Sequence, residues 1–440
     1  MHNLAIALKL KGYDVSGSDD EIFEPSLSRL NNYGILPEAI GWFPEKITPE
    51  LDAVVLGMHA RIDNPELVRA KEIGVKIYSY PEYLYEQTKD KIRVVVGGSH
   101  GKTTITSMIM HVLKSSRIKF DYMVGAQLDG FENMVELNND SKIAVFEGDE
   151  YLTSPIDPRP KFHLYQPSIA LLSGIAWDHI NAFPTYENYK WQFAEFINRI
   201  VPQGSLVYNG EDAEVVDISL QSEAQIERYA YYTHPYRFEN GKASLKIGNE
   251  LLPLLVFGRH NMQNISGAKI VCNLLGIRDD LFYKAISRFK GASKRLQLLS
   301  ENSHTKVFLD FAHSPSKVAA TVQSVKEAYP ERELVACLEL HTYSSLNVDF
   351  LKQYNETMRG ADVPIVFFNP HTIEHKKLPP LKPADILNSF GFPIPEVYTD
   401  TQKLTEKLKG INWINKNLLI MTSGNFSGVN LHDLSKEIAP

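Results

Sequence analysis

The sequence predicts an α/β protein of three domains, and three observations carry that expectation. At 440 residues the chain exceeds what one hydrophobic core ordinarily organises. Short apolar runs alternate with helical patterns along its length, the signature of parallel strands covered by helices. The third is one stretch, Ile92-Arg93-Val94-Val95-Val96-Gly97-Gly98-Ser99-His100-Gly101-Lys102-Thr103-Thr104. There a β-branched run breaks into glycines, then into a helix marked by Ile105, Met108, Ile109 and Val112. The expected units are residues 1–90, 91–293 and 294–440.

Composition narrows the function. The chain is 43% hydrophobic and 22% charged, ordinary for a globular protein. A net charge of -7, from 46 basic and 53 acidic residues, argues against a nucleic-acid or anionic-membrane partner. Cys272 and Cys337 are the only cysteines, which fits a reducing cytoplasm and excludes a disulfide framework or a cysteine-rich metal site. No apolar run reaches membrane-spanning length, so no membrane insertion is expected. The opening Leu4-Ala5-Ile6-Ala7-Leu8 is too short for a secretion signal and leads into Gly12-Tyr13-Asp14-Val15 instead of a cleavage site. Nothing in the sequence identifies a protein partner.

Residues 1–90 begin on a helix, whereas a Rossmann-like unit should begin with a strand and a glycine turn; the first strand is lacking. A strand is expected near residues 13–15, ending at Gly17-Ser18-Asp19. Others are expected over 52–56 and 75–78, with a helix over 67–72 between them. Ser18 and Asp19 stand either in a ligand-facing loop or in a plain turn.

Residues 91–293 open with the glycine loop and read as a P-loop ATPase-like α/β domain. Glycines let the backbone approach an anion, and the new helix turns free N–H groups toward it. Lys102 can bridge terminal phosphates and the Thr103 hydroxyl can sit on Mg²⁺. The spacing is compact, Gly98-x-x-Gly101-Lys102-Thr103, with Val96 where the commoner loop has its first glycine. The strand over 143–146 ends in Glu147-Gly148-Asp149-Glu150, either an acidic turn or a magnesium carboxylate. The strand over 169–175 runs into Trp177-Asp178-His179, where the histidine is structural or a ligand. Asn240-Gly241 marks a hairpin. In Gly258-Arg259-His260-Asn261-Met262-Gln263-Asn264 the amides face a base edge or cap the helix.

Residues 294–440 read as a third, Rossmann-like α/β unit. Strands are expected over 307–310, 334–338, 365–368 and 418–421, with a helix over 316–328. His371-Thr372-Ile373-Glu374-His375 matches an inverted zinc-protease pattern, which needs a helix; between Asn369-Pro370 and Lys376-Lys377-Leu378-Pro379-Pro380 it reads as a surface loop without zinc.

Six motifs in order resemble the Mur ligase family, the ATP-dependent amide-forming enzymes of peptidoglycan synthesis. They are residues 98–104; Glu147-Gly148-Asp149-Glu150; Asp178-His179; Gly258-Arg259-His260-Asn261 with Asn264; Lys294-Arg295-Leu296-Gln297; and Asp310-Phe311-Ala312-His313-Ser314-Pro315. Within the family the chain is similar to the UDP-N-acetylmuramate ligases. Glu147 to Tyr151, Arg159 to Tyr165 and Met421 to Gly428 lean toward the recycling branch, which attaches L-alanyl-γ-D-glutamyl-meso-diaminopimelate (Mpl-like), over the branch that adds free L-alanine (MurC).

The resemblance implies ATP and Mg²⁺ as cofactors. Gly98, Ser99, His100, Gly101, Lys102, Thr103 and Thr104 would cradle the ATP phosphates, and Thr103, Glu147 and His179 would surround the metal. Asn261 and Asn264 would face adenine, Asp310 the ribose and Arg295 the nucleotide, with Lys102, His179 and Arg295 as catalytic residues. The first domain would hold UDP-N-acetylmuramate through Ser18, Asp19 and the loop containing Asn64. The third would bring the L-alanine-led peptide or L-alanine near His313, His341 and Asn425. The sugar carboxylate would become an acyl phosphate, shielded from water by a closing third domain. The family's first strand and glycine turn are absent, so Met1 is expected to be an internal methionine of a longer product. The segment 340–345 lacks the arginine found there in both branches. Folylpolyglutamate synthase is the nearest enzyme rival, but it has no domain ahead of the loop. A nucleotide-binding module without ligase activity is the alternative of another class.

Overall fold

A computed structural model describes every residue except 178, 240, 241, 293 and 294. The described residues form two compact units. The first comprises Met1–Ile175, Glu187–Tyr231 and Gly267–Leu281; the second comprises Ala176–Tyr186, Tyr232–Ser266 and Phe282–Pro440.

The first unit opens on helix His2–Lys11, which Gly12 ends in the left-handed conformation. Two short parallel strands follow, β1 (Val54–Leu56) and β2 (Ile77–Ser79), separated by helix Pro65–Ile73. The strand expected at residues 13–15 does not form. Only an isolated bridge, Asp19 to Gly41, lies beyond it, because that segment has no neighbouring strand to pair with. Helix Tyr80–Thr88 then starts on a capping box of Ser79 and Glu82.

The main sheet of this unit has seven strands: β3 (Ile92–Gly97), β4 (Asp121–Met123), β5 (Val135–Glu136), β6 (Ile143–Glu147), then β9 (Ile169–Leu172), β10 (Ser205–Asn209) and β11 (Glu227–Tyr231). A small antiparallel pair, β7 (Leu152–Ser154) and β8 (Asp157–Pro160), is inserted ahead of β9. The sheet order is β11-β10-β9-β3-β6-β4-β5, parallel except for β4 with β5. Strand β3 is flanked on both sides, and Val94, Val95 and Val96 are wholly buried, as its unbroken β-branched run requires. Helix Lys102–Ser115 buries Ile105, Met108, Ile109 and Val112 on its predicted stripe, and Thr106 and Met110 outside that stripe as well.

In the second unit β12 (Tyr236–Glu239), β13 (Lys242–Ile247) and β14 (Glu250–Pro253) pair antiparallel in that order; Asn240-Gly241, expected to mark a hairpin, lies outside the described residues. The larger sheet comprises β15 (Gln297–Glu301), β16 (Thr305–Asp310), β17 (Glu333–Glu339), β18 (Val363–Phe367), β19 (Glu396–Tyr398) and β20 (Lys416–Met421). Its order is β15-β16-β20-β17-β18-β19, with only β15 antiparallel. Apolar clusters line both of its faces. Residues 370–375, expected as a loop, form the short helix Pro370–His375: Asn369 caps it and Pro370 fills its first turn. Among the described residues no helix is long and apolar enough to cross a membrane.

Candidate active site

Strand β3 delivers the glycine loop to the carboxyl edge of the seven-stranded sheet, between β6 and β9, where open α/β sheets place ligands. The loop leaves no room for a side chain at Gly98. Gly98 has φ 131°, and a Cβ there would stand 2.1 Å from Ser173 Oγ and 3.0 Å from Ser173 N. Ser99 N donates to Gly174 O at 2.9 Å, so the segment just past β9 braces the loop from behind. Gly101, at φ 78°, turns the chain into helix Lys102–Ser115. The cradle therefore fits an anion held by backbone amides.

Two side chains at the head of that helix meet acidic partners. Thr103 Oγ1 donates to Glu147 Oε1 at 2.8 Å, and Glu147 Oε2 accepts from Gly125 N at 2.9 Å. The threonine and glutamate expected around magnesium are thus adjacent hard-oxygen donors, a set that suits a cation completing its shell with phosphate and water. Lys102 Nζ donates to Gly98 O at 2.6 Å and to Glu150 Oε2 at 2.5 Å. Burial opposes its charge, but Glu150, Asp149 and Glu147 outweigh that and hold its pKa above the ordinary lysine value. Glu150 is 1% exposed; its other oxygen accepts from Tyr189 OH at 3.3 Å, and that hydroxyl meets Ser99 Oγ at 2.8 Å. Glu150 and Tyr189 were not singled out from sequence. Glu150 lies within the acidic run, but which carboxylate faces the lysine is decided only by packing.

The other expected nucleotide residues belong to the second unit. Asn261 and Asn264 are both buried on helix Arg259–Leu274, and Asn261 Nδ2 donates to Phe257 O at 2.8 Å. Asp310, at the end of β16, accepts from Leu296 N at 2.6 Å. Its burial pushes its pKa up from 3.8 to about 6, against the opposing charge of Arg295 and the backbone donors. Arg295 lies over the Phe311 ring at 4.9 Å. His179 has φ 54° and its carbonyl accepts from Ala182 N and Phe183 N. Asp178 and Lys294, quoted with the motifs, lie outside the described residues.

Among the expected substrate residues, Asn64 spends its amide oxygen capping helix Pro65–Ile73, at 3.0 and 3.1 Å from Glu66 N and Leu67 N. Asp19 is exposed, accepts from Asp20 N, and its carbonyl receives Gly41 N at 2.9 Å; Ser18 beside it is half-buried. His313 Nδ1 lies 2.9 Å from Phe311 O. His341 and Asn425 follow the ends of β17 and β20, with Asn425 exposed. Among the described residues no three histidine, cysteine or acidic side chains gather as a metal cluster, the His371–His375 helix included.

Comparison with known proteins places this geometry. The Mur ligase middle domain matches residues 96–272, and the domain described as Mur ligase family, catalytic domain, matches residues 1–91. The UDP-N-acetylmuramate–L-alanine ligase of Dictyoglomus turgidum is 30% identical, over 96% of this chain and 91% of its own. The fold is shared with the murein peptide ligase Mpl of Psychrobacter arcticus, at TM-score 0.67 and 21% identity, covering 100% of this chain and 96% of that one. It is shared equally with the UDP-N-acetylmuramate–alanine ligase MurC of Thermotoga maritima, at TM-score 0.67 and 22% identity, covering 99% and 95%. With two successive domains matched and a relative aligned along almost the whole chain, the protein belongs to the Mur ligase family of ATP-dependent ligases.

Proposed function

We propose that this chain joins the carboxylate of UDP-N-acetylmuramate to the amine of L-alanine, at the expense of ATP, in peptidoglycan synthesis. The observation that carries this reading is the phosphate loop, which sets Lys102 and the Thr103–Glu147 pair at one sheet edge. The acceptor rests on the Dictyoglomus relative, whose name specifies L-alanine. That supports L-alanine ahead of the tripeptide expected from the sequence. The tripeptide remains the second reading, favoured by the local likeness of Glu147 to Tyr151 and Met421 to Gly428 to the recycling branch.

Residues 1–90 are assigned to the sugar nucleotide, 91–293 to ATP and 294–440 to the acceptor. ATP with Mg²⁺ supplies, when bound, the phosphoryl group that turns a carboxylate into an acyl donor. The amides of residues 98–104 bind the phosphates, and Lys102 offsets their charge. Thr103 and Glu147 hold the metal. Glu150 keeps Lys102 charged and aimed into the loop. The parts given to His179, Asn261, Asn264, Arg295, Ser18, Asp19, His313 and Asn425 rest on family resemblance. The test is phosphate release with ATP, Mg²⁺ and UDP-N-acetylmuramate: release that needs L-alanine supports the reading, release that needs the tripeptide favours the second, and release with neither refutes both.

A further inference from the structure

Helix Tyr186–Asn198 carries Tyr189, Phe193 and Phe196 on one face, at the spacing of successive turns, and all three are wholly buried. Tyr189 meets Phe193 edge-on with ring centres 5.1 Å apart, Phe193 meets Phe162 in the same way at 5.5 Å, and Phe196 stacks on Phe162 at 4.6 Å. This aromatic layer packs against the end of β3: a Cβ on Gly97 would stand 3.1 Å from Phe196 and 3.4 Å from Phe162. A phenylalanine at position 189 would fill the layer equally well. Packing therefore does not call for the hydroxyl, and burying one is costly unless it is bonded.

That hydroxyl is spent on the phosphate loop. Tyr189 OH meets Ser99 Oγ at 2.8 Å and Glu150 Oε1 at 3.3 Å. Charged Glu150 can only accept, so Tyr189 gives it its one proton and Ser99 donates to Tyr189 in turn. Glu150 Oε2 accepts from Lys102 Nζ at 2.5 Å, and Lys102 also reaches Gly98 O at 2.6 Å. A line of hydrogen bonds thus leaves the loop at Ser99, passes through Tyr189 and Glu150, and returns at Lys102 and Gly98. Held at both oxygens, the Glu150 carboxylate keeps one orientation, and so does the ammonium it faces.

We propose that Tyr189 is a positioning residue for phosphoryl transfer, acting through Glu150 on Lys102. It touches neither nucleotide nor metal; its hydroxyl anchors the loop and the lysine's partner to a rigid aromatic layer. The proposal rests on the ligase reading above.

The test uses the full chain and phosphate release with UDP-N-acetylmuramate and acceptor saturating and ATP varied. Tyr189→Phe keeps the ring and removes the hydroxyl. Its kcat falls roughly 10-fold while the KM for ATP stays within about twofold, as expected when charge placement in the transition state is lost and the loop amides still bind phosphate. A merely structural role lowers the melting temperature and leaves kcat of the folded protein unchanged, and that result overturns the proposal. In a Glu150→Gln background, where no ion pair with Lys102 remains, adding Tyr189→Phe costs less than about twofold; a further loss of roughly 10-fold shows that Tyr189 does not act through Glu150 and also overturns it. Should Tyr189→Phe not fold, Ser99→Ala decides, because it removes the donor to Tyr189. A kcat at least about threefold lower supports the proposal, and an unchanged kcat, whatever the KM for ATP, overturns it. Wild-type silence with both acceptors removes the ligase reading and this proposal with it, whereas an unchanged kcat in the variants leaves that reading standing.

Discussion

Lys102 shows how one residue's surroundings set its chemistry. A lysine buried alone tends to lose its proton, but Glu150 at 2.5 Å keeps this one charged and points it back across the loop toward Gly98 O. Lys102→Met removes that charge while preserving the stem, and phosphate release by the folded variant is expected to fall roughly 100- to 1,000-fold, with stability lowered by about 3 kcal/mol because the buried Glu150 carboxylate loses its partner. A loss under about threefold would show that the loop amides suffice without it. Asp310 carries the opposite perturbation. Its folded pKa of about 6 lies above its ordinary 3.8, so the folded chain binds the extra proton between those values. Stability from this group is therefore greatest at low pH and is lost as pH rises from about 4 to about 6, by up to about 3 kcal/mol. Asp310→Asn, which still offers Leu296 N an oxygen, is expected to flatten that slope in urea unfolding followed across the window; an unchanged slope would assign it to another group.

At the scale of elements, buried ionic knots tie strand ends together. Lys91, just ahead of β3, donates to Asp121 at 2.6 Å, to Ser141 Oγ at 2.8 Å and to Asn138 O at 2.7 Å. Asp121 is wholly buried, so Lys91→Met would strand its charge and is expected to cost about 3 kcal/mol by denaturant unfolding. A cost below about 1 kcal/mol would mean that Asn138 N and Ser141 satisfy the carboxylate alone. Arg93 works similarly, reaching the carbonyls of Thr88 and Lys89 to close the end of helix Tyr80–Thr88. The glycine loop was legible in the sequence because its strand, turn and helix are contiguous and each imposes its own residue types. The missing strand at residues 13–15 was not, since a strand's existence depends on a partner elsewhere in the chain. The helix at Pro370–His375 is hidden for a different reason: an Asn-Pro pair marks a loop and a helix start alike, and here Asn369 caps the helix. A partner such as Glu150 for Lys102 arises between separate segments, and no local pattern announces it.

At the scale of the whole molecule, the two large parallel sheets each present acidic and basic groups at a carboxyl edge: Lys102, Thr103, Glu147 and Glu150 on one, Asp310, Glu339 and His341 on the other. In the function proposed, the first edge holds the ATP phosphates, while Asp310 on the second is given to the same nucleotide. The α/β class followed from the alternation of apolar runs and helices, and the family from six short motifs; the acceptor did not, because it is chosen by side chains that converge only after folding. The most direct test is phosphate release by the purified chain with ATP, Mg²⁺ and UDP-N-acetylmuramate, with L-alanine or the tripeptide supplied in turn. The account predicts release that requires both the sugar nucleotide and L-alanine. Release indifferent to the sugar nucleotide, or none with either acceptor, would contradict it.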